Sequence, residues 1–308
     1  MATQKEVKNR ITSVKNIRKI TRAMEMVAAA RLRRAEQRID RMRPYAQAIR
    51  RITQQVADAA AQAGNRVALL QQHDEVRRVG IILVTGDRGL AGSFNTQIIR
   101  AGGQLQRELE AEGKEVLYYV VGRRGNSALS FRGETIEGSF TGFTDQPSFA
   151  NAREIGDRLA ASFVDEEVDR VELIYNRYVS PLTQYVRRHT LLPLAEAEVF
   201  GEGVPEPEKP EDPELAEAHQ RAEWIYEPEP EDALRDLFEE YVNLSVYRAL
   251  LESAASEHGA RMTAMRNAAE NAGDMIDRLT LEMNRVRQAE ITQEILEVVG
   301  GAEALGAG

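Results

Sequence analysis

The apolar residues near the end of the chain, from about Glu257 to Val299, recur in alternating steps of three and four. The repeat consists of Met262, Met265, Ala269, Ala272, Ile276, Leu279, Met283 and Val286. Spacing of this kind is typical of a helix that winds left-handed around a partner helix. A long helix in an ordinary bundle would show the same spacing, so this pattern alone leaves both arrangements open.

The repeat fails after Val286, because its next two positions would be the polar residues Glu290 and Gln293. The apolar residues beyond that point lie on a shifted face and are Ile291, Ile295, Val298 and Val299. We therefore expect the last ~10 helical residues, about 15 Å of helix, to leave the partner helix and to contact something else. Gly300–Gly301 predicts the end of the helix, followed by a flexible tail over 301–308.

A second long helix is predicted over residues 3–63 and would be about 90 Å long. Its repeat consists of Ala28, Leu32, Ala35, Ile39, Met42, Ala46, Ile49, Thr53, Val56, Ala60 and Ala63. An apolar stripe of slightly different phase precedes it and consists of Val7, Ile11, Val14, Ile17, Ile20 and Met24. Pro44 removes one backbone hydrogen bond and crowds the preceding turn, so we expect a kink near Met42–Arg43.

Between the two helices, the sequence alternates short apolar runs with amphipathic segments. The predicted strands are Val79–Val84, Glu115–Val121, a segment near 134–140, and a hairpin of Val171–Tyr178 with Thr183–Thr190. The predicted helices are Thr96–Glu112, Asn126–Phe131 and one that Ser148 caps and that runs to Val164. Strands that alternate with helices indicate an open α/β sheet of the Rossmann-like kind over residues 75–195.

These elements predict an α/β protein in which a long antiparallel coiled coil, 1–64 with 231–300, carries an inserted open-sheet domain. The remaining segment, 196–230, is rich in Pro and Glu and predicts an extended insert or linker.

Charge divides the chain unevenly. Residues 1–51 carry 15 Lys and Arg against 4 Asp and Glu, a net charge of +11, whereas residues 196–232 carry 14 Asp and Glu against 2 Lys and Arg, a net charge of −12. Three interpretations of the basic helix remain open: a nucleic-acid surface, a solvated basic face, or a basic shaft against acidic protein surfaces. Tyr45 is the only aromatic residue before Phe94, which disfavours base stacking by the basic helix.

Catalytic and cofactor chemistry find little support. The sequence has no Cys and only four scattered His residues, so thiolate and histidine metal sites are not expected. The turn Gly86–Gly92 opens a helix after a strand, but it matches neither phosphate-binding glycine motif, and Asp87 would repel a phosphate. We expect a structural turn, with Asp87 and Arg88 held in hydrogen bonds, and we expect no cofactor and no active site.

Five segments resemble the gamma subunit of F-type ATP synthases, the rotary central stalk. They are Ile11–Ala30, Asp87–Gly92, Tyr226–Pro228, Arg261–Ala272 and Asn284–Ile295. The resemblance implies a non-catalytic shaft inside a hexamer of alpha and beta subunits, with the epsilon subunit and the membrane ring of c subunits as further partners. It also implies a peripheral membrane protein on the cytoplasmic face of a bacterial inner membrane, with proton flow as the drive and no nucleic acid as partner.

The resemblance further assigns roles to single residues. Positions that would couple the shaft to the beta subunit or hold the two helices together are Met24, Arg261, Arg287, Gln288, Thr292 and Glu294. The apolar tip that would slide as a bearing consists of Ile291, Ile295 and Val298. An elongated coiled-coil adaptor that binds nucleic acid through residues 1–51 is the alternative, and an enzyme on the α/β domain is a more distant one.

Overall fold

The computed structural model of the chain describes residues 3–63, 75–193 and 230–306. The elements in chain order are α1 (Gln4–Ala63), β1 (Arg78–Val84), α2 (Phe94–Ala111), β2 (Glu115–Val121), α3 (Arg123–Arg132), β3 (Ile136–Phe140), α4 (Phe149–Val164), β4 (Arg170–Ser180), β5 (Thr183–Leu192) and α5 (Pro230–Gly306). The predicted order of helices and strands is therefore confirmed. The acidic segment predicted at 196–230 lies outside the described residues, apart from Pro230 itself.

Both long helices are present, and one of their predicted ends is wrong. Helix α1 is described over Gln4–Ala63 and continues through Pro44, where the kink stays a prediction. Helix α5 does not end at Gly300–Gly301 but continues to Gly306. Each glycine costs a helix only about 1 kcal/mol relative to alanine, and the residues that follow, Ala302–Leu305, favour helix.

The five strands form one sheet in the order β3-β2-β1-β4-β5. The first four are parallel, and β5 pairs antiparallel with β4 as the predicted hairpin. Parallel strands have both faces covered, and this sheet carries an apolar core on each. Helices α2 and α3 cover one face, where Ile81 and Leu83 are buried, and α4 with part of α5 covers the other, where Ile82 and Val84 are buried.

Local signals place the helices of the sheet domain where the sequence predicted them. Ser148 accepts a hydrogen bond from the backbone N–H of Asn151, and the Asn151 side chain bonds back to the Ser148 N–H, which caps α4 as expected. Helix α3 ends at Arg132, and the Gly133 that follows has a φ of 76°, in the left-handed region that glycine adopts without steric cost.

Internal contacts divide the chain into two compact units. The first consists of Met1–Ala29 and Arg261–Gly308, and the second consists of Ala30–Ala260. The second unit therefore contains the whole sheet together with one segment of each long helix. The domain boundaries predicted from the sequence stay a prediction.

Within the second unit, the helical segments pack on each other and on the sheet. Met42, Ala46 and Ile49 of α1 form an apolar cluster with Leu244 and Leu251 of α5. A polar contact links α1 to the hairpin as well, since the Tyr178 hydroxyl donates a hydrogen bond to Glu36 at 2.5 Å.

Candidate functional surfaces

The two helical segments of the first unit run antiparallel. The backbone N–H of Gln4 donates to the Glu290 carboxylate at 3.4 Å, and Arg266 bonds Glu25 at 2.9 Å, so residue numbers rise on α1 as they fall on α5. An apolar cluster lies between the helices and consists of Val7, Ile11, Val14, Ile276, Leu279 and Met283. The predicted antiparallel pairing and the α5 repeat are both confirmed in this unit.

The upstream stripe of α1 is only partly correct. Val7 and Ile11 are buried as predicted, but Ile17 and Ile20 are 52% and 59% exposed. The buried face instead continues the repeat of Ala28 backwards in unbroken steps of three and four. The predicted face is one position off, because the apolar residues at 17 and 20 outweigh the polar residues beside them in the sequence pattern.

Polar side chains occupy the repeat positions that Ile17 and Ile20 were predicted to fill. Thr21 is buried, and its hydroxyl donates to the carbonyl groups one turn earlier in α1. Glu25 pairs with Arg266, while the guanidinium of Arg18 lies over Gly273, 3.6 Å from the point where a Cβ would stand. The α1 side of the seam is therefore polar over about two turns.

Because the buried face of α1 differs from the predicted one by one position, apolar side chains remain on the exposed side of this helix. Ile17, Ile20 and Val27 are more than half exposed, Met24 is half-buried, and their spacing of three, four and three places them on one face. We call these four residues the α1 stripe. Scattered exposed apolar residues are normal, but a continuous stripe on a charged helix is typical of a surface that meets a partner.

A second exposed surface is the end of α5, from Arg287 to Val299. All thirteen residues of this stretch are exposed. They include the predicted coupling residues Arg287, Gln288, Thr292 and Glu294 and the predicted tip residues Ile291, Ile295 and Val298. The Thr292 hydroxyl donates to the Gln288 carbonyl at 2.8 Å, within the same helix. The repeat ends where the sequence predicted, and apolar side chains are left without cover.

The predicted coupling residues do not form a single site. Met24 precedes Glu25, which pairs with Arg266, so it lies near the level of Arg261, which is buried. Arg287 follows Arg261 by 26 residues, about 39 Å along the helix. The structure therefore separates these residues into two groups, one near the α1 stripe and one at the end of α5.

The glycine-rich turn of the second unit is held by Asp87, as expected. Its carboxylate accepts hydrogen bonds from the backbone N–H groups of Arg123, Gly142 and Thr144 and from the Thr144 hydroxyl. Burial by itself would raise the pKa of Asp87, but these hydrogen bonds outweigh burial and lower the pKa below its ordinary value. Asp87 acts as a structural anchor of the turn Gly86–Gly92.

A polar cluster around Asp145 was not predicted. Its carboxylate pairs with Arg31 and lies 3.8 Å from Arg88, and the buried His258 ring approaches its carbonyl group at 3.4 Å. Sequence reasoning had no signal for this cluster, because Asp145 and His258 are 113 residues apart and belong to no motif.

The described ranges contain no group of acidic or histidine side chains that could hold a metal ion. No helix within them is long and apolar enough to span a membrane.

Comparison with known proteins decides the family. The ATP synthase gamma chain of Rubrobacter xylanophilus is 43% identical over 309 residues, which covers 100% of both chains, and a family model described as ATP synthase matches residues 3–305. This chain belongs to the ATP synthase gamma family. The gamma chain of Moorella thermoacetica is similar to it as well, with 41% identity over 305 residues, 99% of this chain and 100% of the relative.

Solved ATP synthase structures contain chains of the same fold. A chain of the Tetrahymena thermophila mitochondrial ATP synthase, from a structure of its central stalk and c-ring, has a TM-score of 0.57 and 27% identity, covering 81% of this chain and 99% of that one. A chain of the Euglena gracilis mitochondrial ATP synthase has a TM-score of 0.65, covering 99% of this chain and 95% of that one, and at 20% identity it speaks for the fold alone.

Proposed function

We propose that this gamma-family chain is the central rotor stalk of a proton-translocating F-type ATP synthase. It would couple rotation of the c-ring to conformational change at the nucleotide sites of the beta subunits. Family membership supports the proposal, and the observation that carries it is the end of α5. There, all thirteen residues from Arg287 to Val299 are exposed, the apolar Ile291, Ile295 and Val298 among them, beyond the apolar cluster that α5 forms with α1.

A shaft has to resist bending and has to turn within a sleeve. The antiparallel packing of α1 and α5 in the first unit supplies stiffness, because each helix supports the other along a continuous seam. The tip residues Ile291, Ile295 and Val298 project apolar groups that form no directional hydrogen bonds, so they can slide along an apolar sleeve. The chain itself performs no chemistry in this account.

The separate groups of coupling residues suggest two places of contact with the hexamer. Arg287, Gln288, Thr292 and Glu294 would meet the beta subunits near the bearing, since all four are exposed at the end of α5. Met24 would meet a beta subunit about 30 Å further along, because Glu25 next to it pairs with Arg266, and there the α1 stripe offers an apolar surface. Arg261 is buried, so its role would be to hold the helices rather than to touch a partner.

The partners follow from the same proposal. The paired helices of the first unit would lie within the hexamer of alpha and beta subunits, and the second unit would contact the epsilon subunit and the c-ring. The chain would then be a peripheral membrane protein on the cytoplasmic face of a bacterial inner membrane. Family membership does not support the alternative of an elongated adaptor that binds nucleic acid through residues 1–51.

Purification of the tagged full chain from its native host tests the proposal. We expect alpha and beta subunits to co-purify with it in a fixed ratio after nuclease treatment and a high-salt wash. A variant that lacks residues 287–308 is the matched control, because it keeps the paired seam and loses the bearing. Recovery of the full chain without alpha and beta subunits, or together with nucleic acid that survives the wash, would contradict the proposal.

A further inference from the structure

The sheet of the second unit has a crevice of the kind in which related open sheets bind ligands. Helices α2 and α3 pack on one face and α4 on the other, so the chain reverses direction across the sheet between β1 and β4. In open α/β sheets the ligand lies at such a reversal, outside the carboxyl ends of the strands. The carboxyl end of β1 leads directly into Gly86 and the glycine-rich turn.

Polar side chains of α5 fill this crevice. The Ser253 hydroxyl donates to the carbonyl of Val84, the last residue of β1, at 3.4 Å. The Ser256 hydroxyl donates to the carbonyl of Asn176 in β4 at 3.1 Å. Both serines and Asn176 are buried. Helix α5 therefore makes polar contacts with both strands that border the crevice.

Next to these serines, the carboxyl group of Glu257 lies against Gly86. Its carbon and both its oxygens are each 2.8 Å from the point where a Cβ of residue 86 would stand. Three equal distances mean that the carboxyl plane faces Gly86 rather than pointing past it. Glu257 is 2% exposed, so this group is enclosed, and a phosphate at Gly86 would have to displace it.

We propose that the crevice is a small-carboxylate site and that the Glu257 side chain is its permanent, intramolecular ligand. The carboxyl group of α5 occupies the place beside the glycine-rich turn where related sheets hold a ligand, and it thereby packs α5 against the turn that follows β1. Gly86 suits this place because an added Cβ would stand only 2.8 Å from the enclosed carboxyl group. A consequence rests on the proposed function. If the chain is a rotor, torque passes between the sheet and α5 through this contact.

A double-mutant cycle on the isolated full chain tests the contact. Gly86→Ala should lower the midpoint of thermal unfolding by about 5 °C, because the new methyl group collides with an enclosed carboxyl group. In a Glu257→Ala background the same substitution should cost less than half of that shift. Equal costs of Gly86→Ala in both backgrounds would overturn the proposal.

Chemical rescue tests the ligand class. Glu257→Ala removes the side chain and leaves a space for a small carboxylate, so acetate or formate should raise its unfolding midpoint by several degrees with saturation. Glu257→Gln, which keeps the volume filled, and the unchanged chain should show only the general salt effect, measured with chloride at equal ionic strength. Equal responses of all three chains to acetate, or no response of Glu257→Ala, would contradict the assignment.

A shorter side chain keeps the test open if Glu257→Ala does not fold. Glu257→Asp withdraws the carboxyl group by one methylene, so Gly86→Ala should be better tolerated beside Asp than beside Glu, and an equal cost would again contradict the proposal. All of these measurements use the chain without partners. Their failure would leave the rotor proposal standing, and failed co-purification with alpha and beta subunits would leave the Glu257 assignment standing.

Discussion

Glu25 of α1 and Arg266 of α5 form an ion pair at 2.9 Å in the first unit, at a position in the α1 repeat where an apolar residue is usual. Their side chains are 25% and 50% exposed, so the pair is only partly withdrawn from water. A polar pair at such a position contributes little stability but penalises shifted pairings, in which either charge would face an apolar side chain. We infer that Glu25 and Arg266 fix the register of the two helices.

Exchange of the two charges tests this register function. Glu25→Arg alone places two positive charges side by side and should destabilise the chain by about 1 kcal/mol, while the double variant Glu25→Arg/Arg266→Glu should recover at least half of the loss. Urea unfolding of the full chain measures both changes. Purely additive effects would show that the pair does not interact in solution.

Truncation of a buried and of an exposed isoleucine in the first unit should change the free energy of unfolding by very different amounts. Ile276→Ala removes a buried side chain of the first unit and should cost about 2–5 kcal/mol of unfolding free energy. Ile20→Ala, the matched control, removes a side chain that is 59% exposed and should cost less than about 0.5 kcal/mol. A larger loss for Ile20→Ala than for Ile276→Ala in urea unfolding would restore the stripe first predicted from the sequence.

The apolar stripe predicted from Val7 to Met24 shows what sequence periodicity can and cannot decide. The α5 repeat is apolar throughout, so its buried face followed directly from the sequence, and so did the place where it ends. The α1 repeat instead contains Arg18, Thr21 and Glu25. Arg18 lies against Gly273 and Glu25 pairs with Arg266 on the other helix, while Thr21 bonds to carbonyl groups of α1 itself. Only the pairing of the helices reveals that these polar residues are satisfied there.

His189 should make the second unit sensitive to acid. Burial, and after it the positive charges of Arg187 and Arg248, lower the pKa of His189 to about 4, against about 6.5 in an unfolded chain. Between pH 6.5 and pH 4 the unfolded chain binds a proton at His189 and the folded chain does not. The contribution of the neutral His189 ring to the free energy of unfolding is therefore fully present above pH 6.5. It falls by about 3 kcal/mol between pH 6.5 and pH 4 and then levels off.

A glutamine at this position separates the effect from the titration of other groups. His189→Gln keeps a neutral polar side chain and cannot take up the proton, so the difference in unfolding free energy between the two chains should change with pH from 6.5 to 4. Urea unfolding at four pH values across this range measures that difference. Parallel curves for the two chains would mean that His189 is accessible to protons in the folded state.

The candidate surfaces were predictable to different degrees. The exposure of residues 287–298 could be predicted because the repeat breaks beside them, and their roles stay a prediction that the resemblance to the gamma family suggests. The contacts of Asp145 with His258 and of Glu257 with Gly86 could not, since each joins residues more than 100 positions apart through the packing of α5 on the sheet domain. Tertiary contacts of this kind leave no local pattern in a single sequence.

Rotation of the end of α5 is the central claim, and a reversible crosslink tests it most directly. The chain contains no Cys, so Gln288→Cys, at an exposed position, introduces a single thiol that can be oxidised onto a Cys in the facing loop of a beta subunit in the assembled complex. The same chain with an unchanged beta subunit is the control for the substitution itself. We predict that ATPase turnover falls towards zero as the disulfide forms and returns on reduction, although residue 288 touches no nucleotide. Full turnover with a quantitative crosslink at residue 288 would contradict the account and make the chain a static scaffold.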